Sequence, residues 1–438
     1  MVNLILELSK YVMIFLMAVY TWANFRYFSF PDRERKLRLC DRQNHVMFFM
    51  HFLAYMTLFL KAEDEKTSGL LAAFYAAQAV FFLVYIFLTR RFYRNVSRIL
   101  VNNTCMLLAV GLIMLSRLSM FRADPLDKAL KQFVIICGAA VVSWLIPWIM
   151  ERFWQIYKFQ WIYAAVGILA LLAVWIGGDE SFGAQLSFTI GGISIQPSEF
   201  VKIGLIITFS WYFMKYQEKV DKVSTVVLAA ALFAVPAMLI FEQPNLSTCL
   251  VTVVIVLGIV FASGISYRWI VGTLAVVIPM IATGVYLLLH GMIPFIKEYQ
   301  AGRILAWFYP EQYGEARYQQ NNSIIAIGSG QLHGKGLYNT TIASVKNGNF
   351  LSEEQTDFIF AVIGEELGFI GCAIVILLFL LIVYECLMMA ARAKDMAGRL
   401  LCTGMATLIA FQSFANIAVA TGIFPNTGLP LPFISFGS

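Results

Sequence analysis

Charge is what this chain has least of. Only 13% of its 438 residues are Asp, Glu, Lys or Arg, about half the share expected of a soluble domain. Meanwhile 60% are hydrophobic and the mean hydropathy is +0.75. That shortage excludes soluble enzymes, nucleic-acid binders and secreted disulfide scaffolds, because no water-soluble fold covers so much apolar surface. The net charge of +6 is too small to call for a polyanionic partner, and its placement is more informative than its sum. Histidine is nearly absent: the four present have no metal-ligand spacing among themselves or with cysteine, so no structural zinc site is expected. Seven cysteines, scattered mostly through apolar runs, suggest no disulfide framework. There is no short-period repeat and no low-complexity tract, and the residue order offers no Ser/His/Asp constellation.

What is present is a series of long apolar stretches. Read in windows of about twenty residues, they begin near Leu4, His45, Gly69, Leu100, Gln132, Trp161, Glu199, Val226, Cys249, Trp269, Phe358 and Leu400. Each is long enough to cross a hydrocarbon core, where only a helix satisfies its own backbone. An all-α, polytopic membrane protein of about 12 transmembrane helices is expected. The first stretch lacks a small-residue cleavage site and is read as a retained span. Lys and Arg of short loops stay on the cytoplasmic side. That rule makes the segment carrying Arg26, Arg33, Arg35, Lys36, Arg38 and Arg42 cytoplasmic, together with the segment carrying Arg90, Arg91, Arg94 and Arg98. Alternation then puts residues 62–68, 178–197, 242–247 and the long segment 291–357 on the outer face. A loop as long as 291–357 is usually functional or disordered, and its many aromatic and aliphatic residues argue against a solvated tether. Residues 422–438, rich in Gly and Pro, are read as outward-facing.

Charges beside spans mark sites of function, since each costs at least ~2.5 kcal/mol in hydrocarbon. Glu199 and Lys202 lie three apart after Pro197-Ser198, on one face of a helix start, a spacing that permits an ion pair. A capped, internally paired helix start and a direct substrate contact both fit. Asp357 sits where the long outer segment enters the eleventh span, with Glu353 and Glu354 before it and Glu365 and Glu366 after it. Carboxylates gathered in this way raise one another's proton affinity, which makes a usable general base, and they can hold a divalent cation. The competing reading is an N-cap Asp with interfacial glutamates. The run Ala326-Ile327-Gly328-Ser329-Gly330-Gln331-Leu332-His333-Gly334-Lys335-Gly336 is not a nucleotide P-loop. Its glycine amides and Lys335 can approach an anion, or it is a plain turn-rich loop. Arg303 and Lys346 add basic character suited to a polyanionic lipid head group.

At these positions the sequence resembles the SEDS family of shape, elongation, division and sporulation proteins, which includes RodA, FtsW and SpoVE. The resemblance covers about 100–438. It is carried by Ile195 to Lys202 (IQPSEFxK), by Ile304-Leu305-Ala306-Trp307 with Pro310, and by Tyr318 through Leu337. Gln355 to Gly368 (the TDFIFAVIGEELG element) and Thr421 to Ser438 complete it. The resemblance implies a peptidoglycan glycosyltransferase that polymerises lipid II at the outer face of the cytoplasmic membrane, with Asp357 as general base for the acceptor sugar hydroxyl. Its motifs place candidate substrate contacts at Gln196, Ser198, Glu199 and Lys202, then at Arg303, Gln319, Ser323, Ser329 and Lys335, and at Glu353 and Glu366. It implies a class B penicillin-binding protein as partner. No cofactor is required by these residues, and a divalent cation held by Asp357 and Glu353 stays an open alternative. Four features depart from the family pattern. Gly183 to Phe188 lacks the usual Arg and Trp, and Asn245 stands where the family has a carboxylate. Residues 1–99 form an extra three-helix region ahead of the 100–438 core, and the family's final helix is missing. A lipid-linked precursor flippase or transporter and a non-catalytic cell-wall scaffold are the alternative functions.

Overall fold

A computed structural model describes residues 2–62, 64–120, 126–152, 160–181, 184–190, 193–243, 246–290, 298–339, 344, 348 and 350–437. Its helices are α1 (Val2–Ser29), α2 (Arg33–Lys61), α3 (Glu65–Phe92), α4 (Arg98–Ser119), α5 (Asp127–Arg152), α6 (Gln160–Gly177), α7 (Pro197–Lys215), α8 (Val223–Glu242), α9 (Leu246–Ala262), α10 (Tyr267–Leu289), α11 (Glu298–Phe308), α12 (Gly314–Ser329), α13 (Ile359–Arg392) and α14 (Met396–Ala420). Each of the twelve predicted stretches coincides with one of these. Among the described residues eight helices are long and apolar enough to cross a membrane, and α6 and α9 contain shorter apolar segments. The remaining two, α2 and α7, carry charges along their length. The protein is an all-α integral membrane protein with one addition, a three-stranded antiparallel sheet between α6 and α7. Its strands are β1 (Asp179–Ser181), β2 (Ala184–Ile190) and β3 (Ile193–Ile195). Strand β2 alternates Leu186, Phe188 and Ile190 with Gln185, Ser187 and Thr189, the two-residue period that favours a strand over a helix.

Two further helices, α11 and α12, occupy the segment expected as a long loop. The run read as turn-rich therefore begins inside α12, where Gln320, Ser323 and Ala326 form a buried face at helical spacing. Tertiary packing overrides the low helix propensity of its Ile and Gly residues.

Helix α4 is the most enclosed of the candidate spans, 83% buried along its apolar window. Helices α1, α2 and α3 share one hydrophobic cluster with it and with α13. Polar groups buried in that contact are paired across helices, as they must be where no water reaches them. Tyr20 donates to Asn103 (3.1 Å) and Asn102 to the Cys40 carbonyl (2.8 Å). A chain of bonds also runs from His51 to Gln78 (3.0 Å), Gln78 to Tyr55 (2.6 Å) and Tyr55 to Ser116 (2.8 Å). A second cluster gathers α7, α8 and α9, and α14 contributes residues to both.

Contacts at the two ends fix which segments lie together. At one end Tyr338 donates to Glu7 at the start of α1 (2.8 Å), and Arg117 near the end of α4 donates to the Asn339 carbonyl. At the other end Arg90 and Arg98 meet Asp41 (2.7 and 3.9 Å), and Ser97 donates to Glu385 (2.7 Å). Glu7, the end of α4 and residues 338–339 thus share one end of the bundle, and Asp41, Arg90, Arg98 and Glu385 share the other. The closing segment is packed against the rest of the protein. It lies beside the Gln355–Asp357 turn and is enclosed by protein, with Leu431, Ile434 and Ser435 fully buried. A Cβ on Gly111 of α4 would lie 2.8 Å from the Ile434 backbone, and the Gly437 amide donates to Gln132 of α5 (2.8 Å). Irregular backbone is tolerated at such depth only when protein surrounds it.

Candidate active site

Asp357 lies in the turn that leads into α13. Thr356 and Phe358 amides donate to the Glu353 carbonyl (3.3 and 3.2 Å), and the Thr356 hydroxyl donates to the Glu353 carboxylate (3.0 Å). Phe358 takes the N-cap position, and no side chain caps the helix. The capping alternative for Asp357 is not the arrangement found, because Phe358 and not Asp357 occupies the cap position. The turn is held from below through its backbone. Asn416 of α14 donates to the Asp357 carbonyl (2.8 Å) and the Leu429 carbonyl (2.7 Å), Ser435 donates to the Thr356 carbonyl (2.6 Å), and the Phe436 amide donates to the Gln355 carbonyl (2.8 Å).

The side chain of Asp357 is half-buried beside Gly428. A Cβ built on Gly428 would sit 3.4 Å from Asp357 Oδ2 and 3.7 Å from Arg303 Nη1, and φ there is +68°. Glycine is favoured there by conformation, and its position beside both side chains shows that Asp357 and Arg303 flank the same point of the closing segment. Burial pushes the Asp357 carboxyl up to about 6, the charge of Glu353 adds to that rise, and Arg303 opposes it.

A second pair is joined to this turn. Lys202, 1% exposed, contacts Glu199 at 2.6 Å and donates to Gln412 of α14 (3.0 Å), while Gln412 donates to the Pro430 carbonyl (3.3 Å). Gln412 and Asn416 are one helical turn apart and grip adjacent residues of the closing segment. Gln196 is the N-cap of α7 without a side-chain cap bond and Pro197 is its first residue. Ser198 therefore falls inside the helix and does not cap it; its hydroxyl is buried and has no partner among the described residues. Charge exchange tests the pair. Glu199→Lys with Lys202→Glu is expected to recover stability relative to the two single variants, with a coupling of about 0.5–3 kcal/mol in a thermal-unfolding cycle. Additive losses would mean the two side chains act independently.

The glycine-rich run does something other than cradle an anion. The amides of Lys335 and Gly336 donate to the Glu365 and Glu366 carbonyls (2.8 and 2.9 Å), and the Phe369 amide donates to the Gln331 carbonyl (2.8 Å). The run docks where α13 is broken at Gly368 (φ +67°). A Cβ on Gly330 would fall 1.9 Å from the Gly364 carbonyl oxygen, which explains the glycine there. Lys335 Nζ lies 2.6 Å from Glu365, which also accepts from Ser344 (2.6 Å). Glu366, 0% exposed, lies 3.5 Å from Arg117. The expectation that Glu365 and Glu366 lie at the membrane surface is corrected: they are buried counter-charges to cations on neighbouring segments.

The other candidates also find partners within the protein. Gln319 accepts from the Ser352 amide (3.0 Å), Ser323 donates to the Ala420 carbonyl (2.7 Å), and Ser329 donates to the Ala326 carbonyl of its own helix (2.8 Å). The structure thus brings Asp357, Glu353 and Arg303 together at one surface and joins Glu199 and Lys202 to it through α14. Among the described residues no three His, Cys, Asp or Glu side chains gather to hold a metal, so Asp357 and Glu353 supply two carboxylates only. Asn245, Lys346 and the side chains of residues 183–186 lie outside the described residues. Gln412, Asn416 and Gly428 were not anticipated, although two amides four apart in an apolar helix are themselves a signal.

Known proteins share this architecture. A family model described as a cell cycle protein, FtsW/RodA/SpoVE, matches residues 98–438. A probable peptidoglycan glycosyltransferase FtsW of Trichlorobacter lovleyi is 32% identical over 303 residues, 69% of this chain and 75% of that protein. The peptidoglycan glycosyltransferase MrdB of Escherichia coli K12 is 31% identical over 347 residues, 78% of this chain and 90% of that one. Among solved structures, a chain of a peptidoglycan synthase complex that coordinates polymerization and crosslinking superposes with a TM-score of 0.63. It is 25% identical, and the match covers 77% of this chain and 91% of that one. The rod shape determining protein RodA of Thermus thermophilus has the same fold, with a TM-score of 0.55 at 23% identity over 79% of this chain and 92% of that one.

Proposed function

We propose a function from one premise: the chain belongs to the FtsW–RodA–SpoVE family, the SEDS proteins. It is a peptidoglycan glycosyltransferase, a membrane-embedded enzyme that polymerises lipid II into glycan strands. The acceptor sugar hydroxyl attacks the donor anomeric carbon, the bond to the lipid diphosphate breaks, and the diphosphate leaves with the bonding electron pair. Asp357 takes the hydroxyl proton. Arg303, across Gly428, offsets charge developing on the donor side.

One observation carries this reading: a carboxylate unused by helix capping, next to a guanidinium and lifted toward neutrality, on a turn pinned through its backbone. A base is most effective when its pKa lies near working pH. The reaction takes place at the outer face of the cytoplasmic membrane, where basic-residue bias puts Asp357. The crosslinking partner is a class B penicillin-binding protein, in keeping with the synthase complex that shares the fold. Glu199 and Lys202 support the substrate-facing surface through Gln412, and residues 1–99 form an accessory layer on the family core.

Polymerisation of lipid II by the purified full-length protein is the direct test, and a folded protein that makes no glycan at any pH would defeat the reading. The pH profile has a defined sign. Because the Asp357 carboxyl is raised to about 6, the base is charged above that pH and protonated below it, so the rate should fall as pH drops through about 6. A fall near the ordinary carboxylate range, about 4, would place the titrating group elsewhere. Sidedness is checked by single cysteines in a cysteine-free background. A membrane-impermeant reagent applied to intact cells should label Glu311→Cys and not Glu34→Cys, and the reverse pattern would move the reaction to the inner face.

A further inference from the structure

Far from Asp357, four arginines converge on a cavity of about 250 Å³ between the end of α1 and the start of α2. Arg35, Arg38 and Arg42 share one face of α2 at helical spacing with Leu39, and Arg26 comes from the last turn of α1. The floor is aromatic. The Arg26 guanidinium lies over both the Trp22 and Phe30 rings (4.9 Å each), and Arg35 lies over Phe30 (5.8 Å). Stacking holds a guanidinium in one plane and leaves its N–H edges free to grip phosphate oxygens in pairs.

Compensation by acids is incomplete. Arg35 meets Asp32 at 3.6 Å and Arg38 meets Glu34 at 3.8 Å, both exposed. Neither Arg26 nor Arg42 has an ion pair among the described residues. Four like charges around one cavity repel, and a bound anion removes that repulsion. At about 250 Å³ the cavity is smaller than the roughly 300–1,000 Å³ usual for whole small-molecule ligands, so it suits a head group and not an entire solute. Its surroundings suit the rest of a lipid: Trp22 at its edge is 59% exposed, and Phe15, Val12 and Leu8 continue that exposed apolar surface along α1.

We propose that this cavity binds the phosphate group of an anionic membrane lipid. The site lies outside residues 98–438. It lies at the opposite end of α1 from Glu7, which contacts Tyr338, so the lipid ties the three-helix layer to the other leaflet.

The test uses the full-length protein in phosphatidylcholine bilayers containing phosphatidylglycerol. A photoactivatable phosphatidylglycerol should crosslink to residues 22–42, and Arg26→Gln with Arg42→Gln should weaken its binding by about tenfold or more. The charge-matched control, Arg33→Gln with Arg94→Gln, removes two exposed arginines that do not line the cavity and should leave binding within about twofold. Inorganic pyrophosphate distinguishes a soluble source of phosphate and should compete poorly. Equal losses in the two double variants, crosslinks spread over the protein, or displacement by pyrophosphate at low concentration would each overturn the proposal. The crosslinking arm needs no variant, so a poorly folding Arg26/Arg42 double still leaves a decisive result.

Discussion

Asp357→Asn is expected to reduce glycan polymerisation by about 10²–10⁴-fold, the usual contribution of a positioned general base, while lipid II binding and thermal stability stay as in the wild type. The separation follows from how the turn is held. Asn416, Ser435 and the Phe436 amide all bind main-chain carbonyls, at Asp357, Thr356 and Gln355. Exchanging a side-chain oxygen for nitrogen leaves that attachment in place and removes only the capacity to take a proton. Asp357→Glu keeps the capacity and moves it by a methylene, and a displacement of about 1 Å alone can cost about 10²-fold. Arg303→Gln adds a check with a sign. Arg303 holds the Asp357 carboxyl down against burial and Glu353, so its loss should move the pH inflection upward. Steady-state polymerisation across pH 5–8 reads all three variants, and a loss of less than about tenfold for Asp357→Asn would remove Asp357 from the chemistry.

Arg117→Ala is expected to destabilise the protein by about 3–5 kcal/mol, since it leaves a carboxylate without its cation in a place water does not reach. Arg117 and Glu366 are 1% and 0% exposed, and Arg117 also donates to the Asn339 carbonyl, which ties α4 to the segment after the glycine-rich run. Adding Glu366→Gln should recover part of the loss, because the double variant no longer buries a lone charge. Thermal unfolding of the detergent-solubilised protein measures both. A cost below about 1 kcal/mol, the range of exposed pairs, would show that solvent reaches the pair.

The twelve apolar stretches were legible because hydrocarbon allows one backbone solution, so length and composition suffice. The Glu199–Lys202 pair was legible because both partners lie on one helix three residues apart. Asp357 stood out by its acidic neighbourhood, yet which neighbours matter was hidden: Glu353 acts on it, while Glu365 and Glu366 turn to Lys335 and Arg117. Those pairings join residues 30 positions apart in one case and far more in the other, and no local spacing encodes them. Arg117 itself lies inside an apolar run, where the energetic cost of a charge should have marked it at once. The helices α11 and α12 were obscured by Gly, Asn and aromatic residues whose weak propensity is overruled by packing, of α12 on α13 and α14 and of α11 on α12.

The clamp beneath Asp357 also orders events during biosynthesis. Asp357 leaves the ribosome 59 residues before Asn416, and Thr356 leaves 79 residues before Ser435. Until α14 has inserted and residues 428–436 have folded back against α4, the turn has no fixed carbonyl positions and the carboxylate no settled place beside Arg303. A nascent chain therefore displays Asp357 before the contacts that fix its place have formed. Because ordering by such distant contacts comes late, catalytic competence should arise as one of the last steps of membrane assembly.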